Sequence, residues 1–270
     1  IAKTILAALE KVETGNVKSV SIKVPGLAKN ARDAAIVDDE LTTLQFLDPE
    51  SGRAIASLFN FPCHPEVLGE QNRIITCDYP HYLRAAVEQV THAPCIFFNG
   101  ALGGMMIPDV KNHTFEEAET MGKALAAAGL GALRAAAVDD RLFPLSFAKT
   151  EIKIPLRNWK FIFGMILNVL PRKGLHFDLT AHTEVSLARI GPLWLATVPG
   201  ELLPKIGLQI KTDLRKAGAR AVGIIGLAND EIGYIIPQSE FDRAKYEESV
   251  SLGPEADPII YNALKNLIGE

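Results

Sequence analysis

The sequence predicts an α/β fold, a mixed sheet with flanking helices in a single globular domain. Short runs of apolar, β-branched and aromatic residues alternate with helical stretches, and some runs are joined by tight turns while others are joined by helices. No internal repeat and no long Pro, Gly or Ser linker divides the chain, so one domain spanning residues 1–270 is the expected organisation. A composition that is 48% apolar suffices to bury a core at this length.

The elements follow in order. Ile1, Ile5, Leu6, Leu9 and Val12 share one helical stripe, and TGN after them is a stop signal. Val17 to Val24, Leu41 to Leu47 and Ala54 to Phe61 read as strands, the last two forming a hairpin around DPESG. Pro80 to Val90 reads as a helix, Cys95 to Asn99 as a buried strand, and Phe115 to Ala137 as a long Ala-rich helix opened by acidic residues. Beyond Leu145 the pattern predicts two more strands, then a hairpin formed by FDLTAHTEVSLARIG and PLWLATVPG. A helix from Glu201 to Ala217 and a buried strand from Ala221 to Leu227 follow.

Composition excludes several classes. A net charge of −4, with no Lys or Arg run longer than a pair, leaves no footprint for a nucleic-acid backbone. Cys63, Cys77 and Cys95 are an odd count without CxxC spacing and read as buried free thiols. The most apolar stretch, Phe161 to Leu170, is about half the roughly 20 residues that cross a bilayer. Bounded by Arg157, Lys160, Arg172 and Lys173, it reads either as a buried helix or as a peripheral contact with a lipid surface. The chain opens on Ile1 with no leader pattern, which reads as a processed, truncated or incomplete sequence.

Several residues carry chemistry by type and place. Pro65 holds His64 to an extended backbone at the end of a strand, putting an imidazole on the sheet's rim. In VPGE, Glu201 falls at the first turn of the expected helix, where the dipole favours a carboxylate. The loop ANDEIGYIIPQSEF crowds Asn229, Asp230, Glu231 and Tyr234 after a buried strand, with Tyr246 further on. Taken singly, each has a plainer reading: a hydrogen-bonded histidine, a capping acid, a packing aromatic. Three glycines in FFNGALGGMMIPD let the backbone approach a ligand or another segment closely. No GxSxG elbow, HExxH helix or P-loop occurs.

Taken in order, NFPCHPEVLG, ITCDYP, FFNGALGGMMIPD, TEVSLARIG, VPGELLPKIG and GLANDEIGYIIPQSEFDRAKYEESVSLGP resemble the N-terminal catalytic domain of the neutral/alkaline non-lysosomal ceramidases, from about Ala28 to Pro254. The resemblance implies a zinc ion held by two histidines, a glutamate and a tyrosine, and the HP, PGE and GY motifs put His64, Glu201 and Tyr234 in three of those roles. The fourth ligand belongs to an upstream HTH-containing segment in that family, as does a catalytic histidine, and no HxH occurs in this chain. LAKNARD makes Arg32 the counterpart of a substrate-binding arginine, and Tyr246, just before LGP, matches an oxyanion-side tyrosine. Where the family has a GD-V-S-P stretch this chain has GGMMIP, which points to water activated by the metal as the nucleophile.

The implied activity is zinc-dependent hydrolysis of an N-acyl amide, such as that of ceramide, or of a related ester. The expected partner is a lipid or acylated small molecule. A carboxylesterase with little amidase activity, and a non-catalytic fragment retaining the fold, are the alternatives. Family members are often exported, while this chain's lack of a leader and its unpaired cysteines leave the compartment open.

Overall fold

Two four-stranded sheets meet where an edge strand of one stands on the face of the other. The structure, a computed structural model, describes residues 2–141, 143, 145–167 and 179–269. The first half runs α1 (Ala2–Leu9), β1 (Asn16–Lys23), β2 (Ala28–Asn30), β3 (Glu40–Leu47), β4 (Ala54–Phe61), α2 (Tyr79–Thr91), β5 (Cys95–Asn99), β6 (Met106–Pro108) and α3 (Phe115–Ala135). The second runs β7 (Leu145–Pro155), α4 (Trp159–Ile166), β8 (Thr180–Ile190), β9 (Leu193–Thr197), β10 (Glu201–Leu202), α5 (Pro204–Lys216), β11 (Ala221–Ile225), β12 (Tyr234–Ile235), α6 (Tyr246–Ser249) and α7 (Ala256–Gly269). Among the described residues no helix is long and apolar enough to cross a membrane.

The first sheet has the order β1-β3-β4-β5, antiparallel except for the parallel pair β4 and β5. Helices α2 and α3 cover it, burying Phe59, Phe61, Leu83 and Leu125. Thr114 caps α3 by accepting from the Glu117 amide, and Glu116, Glu117 and Arg134 complement its dipole. The second sheet has the order β11-β9-β8-β7, with β11 and β9 parallel, and α5 and α7 bury Ile154, Leu187, Ile210 and Ile260 against it. Two short ribbons complete the sheets: β2 with β6, and β10 with β12.

The seam solves the problem of an unpaired strand edge inside a protein. Ser21, Thr42 and Asn60 are opposite one another on β1, β3 and β4, so they form one row across the first sheet. That row serves the backbone of β11: the Val222 amide donates to Ser21 Oγ at 3.2 Å, Thr42 donates to the Val222 carbonyl at 2.6 Å, and Asn60 Nδ2 donates to the Ile224 carbonyl at 2.8 Å. Side chains thus replace the missing strand partner. Gly223 between them has no alternative: a Cβ there would lie 2.7 Å from Leu195 Cδ2 and 2.8 Å from Asn60 Oδ1.

Most expected elements appear within a residue or two, including the hairpin of β3 and β4 and that of β8 and β9. Three expectations are corrected. Glu201 does not open a helix: α5 begins at Pro204, which needs no amide partner at a first turn and holds Leu203 extended (ψ 144°). Among the described residues after Leu145, one long strand and then α4 stand where two strands were expected before the hairpin. Asn158 caps α4 by accepting from the Lys160 amide, and Met165 faces inward at helical spacing. Of the thiols, Cys63 and Cys95 are buried and free, but Cys77 is free and exposed. The last three residues of the apolar stretch, together with Arg172, Lys173, Phe177 and Asp178, lie outside the described residues.

Candidate metal centre

Parallel strands converge where β4, β5, β9 and β11 end, and there the candidate ligands gather. The strand ends are tied together: the Gly100 amide donates to the Phe61 carbonyl, Gly226 to Asn99, and Val198 to Ile225. His64 lies three residues beyond β4, and its amide donates to Met106 O at 2.8 Å. Glu201 follows β9 and Tyr234 follows β11, and these two face each other directly as register partners in the parallel β10–β12 ribbon. A pairing of two residues therefore sets the relation of two candidate ligands, which spacing along the chain does not reveal.

His64 Nε2 and Glu201 Oε2 are 3.2 Å apart, each side chain 19% exposed. The angles between them make no hydrogen bond, and both atoms are buried without one. Two buried polar atoms this close and without hydrogen bonds are costly in a protein and fit groups that could share a cation. Tyr234 is 7% exposed, and its phenol is pushed well above the ordinary tyrosine range by burial first and by the Glu201 carboxylate second. Its hydroxyl also contacts Met105 Sδ at 3.6 Å, from a residue held at φ +58°. The glycine loop presses on the other side: a Cβ on Gly103 would collide with the Glu201 carbonyl.

One imidazole nitrogen, one carboxylate and one phenol suit zinc, which takes nitrogen and oxygen donors. Among the described residues no group of three His, Cys, Asp or Glu side chains is gathered as a metal site.

Tyr246 and Arg32 sit beside this centre, Tyr246 on α6 and Arg32 in the loop after β2, from which its side chain reaches α6. Tyr246, 66% exposed, opens α6 with its ring set edge-on to Tyr234, centroids 6.1 Å apart. The Arg32 side chain is 8% exposed and is taken up by carboxylates of the same helix, with Nη2 2.7 Å from Glu248 Oε1 and Nη1 3.0 Å from Glu247 Oε2. Burial would lift the Glu248 carboxyl, but its bonds from Arg32 and from the Asp242 amide hold it below the usual range. All five sequence-derived candidates thus occupy one region, with Arg32 paired rather than free.

Two solved structures share this architecture. A neutral ceramidase from Pseudomonas aeruginosa superposes with a TM-score of 0.77 at 17% identity, over 100% of this chain and 55% of its own. A ceramidase complexed with C2 superposes with a TM-score of 0.73 at 15% identity, over 95% and 53%. The fold is a neutral-ceramidase fold. The chain spans about half the length of these ceramidases. No protein-family profile matches it, and no curated protein matches it in sequence.

Within the neutral-ceramidase fold, the residues that sequence reasoning missed are those that hold the HP loop in place. Asp78 accepts from three buried amides, those of Val67 (3.1 Å), Leu68 (3.1 Å) and Tyr79 (2.7 Å). Its backbone stands at φ 54°, ψ −148°, a region few residues other than glycine occupy. Tyr79 donates its phenol to the Cys63 carbonyl at 2.8 Å, and His113 Nδ1 lies 2.7 Å from the Val67 carbonyl. The motif ITCDYP contained Asp78 and Tyr79, but nothing in it says that they reach back to the chain around His64. Glu66 and Glu231 flank the pair: partial burial raises both carboxyls, and each feels the field of Glu201 and His64.

Proposed function

We propose that this chain supplies the catalytic centre of a zinc-dependent hydrolase that cleaves the N-acyl amide of a ceramide-like lipid, or a related carboxylic ester. The observation that carries this reading is the convergence of His64 Nε2 and Glu201 Oε2, buried and without hydrogen bonds, beside the phenol of Tyr234. The likeness of the fold to two ceramidases supports the reaction class.

His64, Glu201 and Tyr234 would hold the ion, with a fourth donor from outside these residues, as the resemblance implies. Zinc bound there supplies activated water near neutral pH and polarises a carbonyl. In hydrolysis, water adds to the acyl carbon, the C–N bond breaks, the amine departs with a proton and the acyl chain departs as a carboxylate. In this reading the Tyr246 phenol would donate to the acyl oxygen as charge develops on it, a contribution of about 3 kcal/mol for one such donor. Arg32 serves the same end through its two carboxylate partners, which fix the helix that carries Tyr246; a direct contact with substrate would require it to leave Glu247.

The test combines metal analysis with hydrolysis of N-acyl-sphingosine and of matched short-chain esters. One zinc per chain is expected, with more than about a hundredfold loss of affinity in His64→Ala, since even an outer-shell partner is worth 10–100-fold. Esters should outlast amides wherever the leaving amine lacks a proton donor. A chain that holds no zinc and hydrolyses at the same rate after His64→Ala would sink the proposal.

A further inference from the structure

Helix α4 is apolar on two sides, and only one of them is buried. Met165 is buried and Phe161 and Ile162 pack against the core, so the helix is firmly seated. Outward, Trp159, Phe163, Ile166 and Leu167 recur at helical spacing and are 64%, 54%, 63% and 57% exposed. We propose that this stripe docks the protein on an anionic lipid surface and so presents acylated substrate to the neighbouring site. The inference rests on the lipid-hydrolase reading but is tested independently of it.

Charge and size select the occupant. Lys160 stands on α4 itself, and the Arg243 guanidinium, bonded to the Arg157 carbonyl, lies beside it around a shared small cavity. Two cations, Lys160 and Arg243, beside the Trp159 end of an apolar stripe suit phosphate headgroups above acyl chains. An eight-residue helix is about 12 Å long, too short by itself for the roughly 800 Å² per partner that a stable protein interface needs. A lipid interface needs no more than the stripe.

The stripe is also coupled to the site. Asn158, which caps α4, donates to the Ser249 carbonyl at 3.0 Å and the Ser251 carbonyl at 2.9 Å, at the end of the helix that Tyr246 opens. Glu248, the partner of Arg32, lines the same cavity as Trp159 and Lys160.

The experiment is co-sedimentation with vesicles of phosphatidylcholine alone or with phosphatidylglycerol, following tryptophan fluorescence. Trp159 is one of two tryptophans, and the other, Trp194, packs against the core. Expected are binding to the anionic vesicles that weakens with salt, a blue shift from Trp159, and at least roughly tenfold weaker binding in Phe163→Ser/Ile166→Ser. Lys160→Glu should weaken binding to anionic vesicles alone. An unchanged unfolding midpoint and unchanged zinc content certify the variants. Equal binding by wild type and the double variant, no blue shift, or loss of self-association in place of lipid binding would each overturn the proposal. A protein that binds vesicles yet holds no zinc would overturn the hydrolase reading and leave this one standing.

Discussion

Replacing Asp78 should loosen the loop that carries His64 before it disturbs anything else. Asp78→Ala strips the acceptor from three buried amides, and a buried donor left without a partner costs about 1–3 kcal/mol. Partial relaxation and entry of water hold the sum to roughly 3–6 kcal/mol, within the range seen for broken buried networks. At about 2.1 cal/mol/K per residue over 270 residues, that is a fall in Tm of roughly 5–10 °C. The backbone adds a second expectation. At φ 54°, ψ −148° the native aspartate carries strain of order 1–3 kcal/mol that glycine does not. Asp78→Gly should therefore cost less than Asp78→Ala although it removes more atoms, and Asp78→Asn, which keeps one acceptor oxygen, least of all. Urea and thermal unfolding give the order. A glycine variant less stable than the alanine variant, or an alanine variant within about 1 kcal/mol of wild type, would refute the reasoning.

Two further predictions concern buried charge. Lys211 is 1% exposed and reaches both Asp38 oxygens, at 2.8 and 2.7 Å, so Lys211→Met strands a buried carboxylate and should cost about 3–5 kcal/mol. Lys211→Met/Asp38→Leu should regain most of it, and a double variant no more stable than the single in urea unfolding would contradict this. The Arg32–Glu248 pair predicts a pH dependence. The Glu248 carboxyl is depressed in the folded protein, so its contribution is complete above the ordinary glutamate range near 4.5 and is lost as pH falls through the depressed value. In Arg32→Gln the bonds from Arg32 are gone, and burial, which raises the Glu248 carboxyl, is opposed only by backbone amides, so protonation should cost the folded variant less than it costs wild type. The Tm gap between wild type and Arg32→Gln should be widest near neutrality and narrow below about pH 4.5; a gap independent of pH would count against it.

The strands and helices were legible because each is a local matter: a short, largely apolar run after the DPESG turn in β4, a capped and acidic first turn in α3, glycine and proline between them. The segment after Leu145 misled because a short apolar run suits a buried strand and a helix equally. The face that α4 turns to solvent is fixed by what packs beneath it. VPGE misled for a related reason. An acid three residues before a helical run looks like a first-turn residue until Pro204 and the partner strand bearing Tyr234 claim the backbone differently.

The sequence by itself determined the fold class, the order of the elements and which side chains stand at the ends of strands, since propensity, capping and turn chemistry act within a few residues. It also named His64, Glu201, Tyr234, Arg32 and Tyr246, through the joint order of their motifs. Tertiary structure alone decided which of these meet. Parallel pairing sets Glu201 beside Tyr234, 33 positions apart by their numbers, and Arg32 is bound by Glu248 across 216. Asp78 grips amides 10 and 11 positions away that no periodicity marks. Such contacts depend on how sheets and loops close in space, and that closure is set by the whole core at once rather than by any window of the chain.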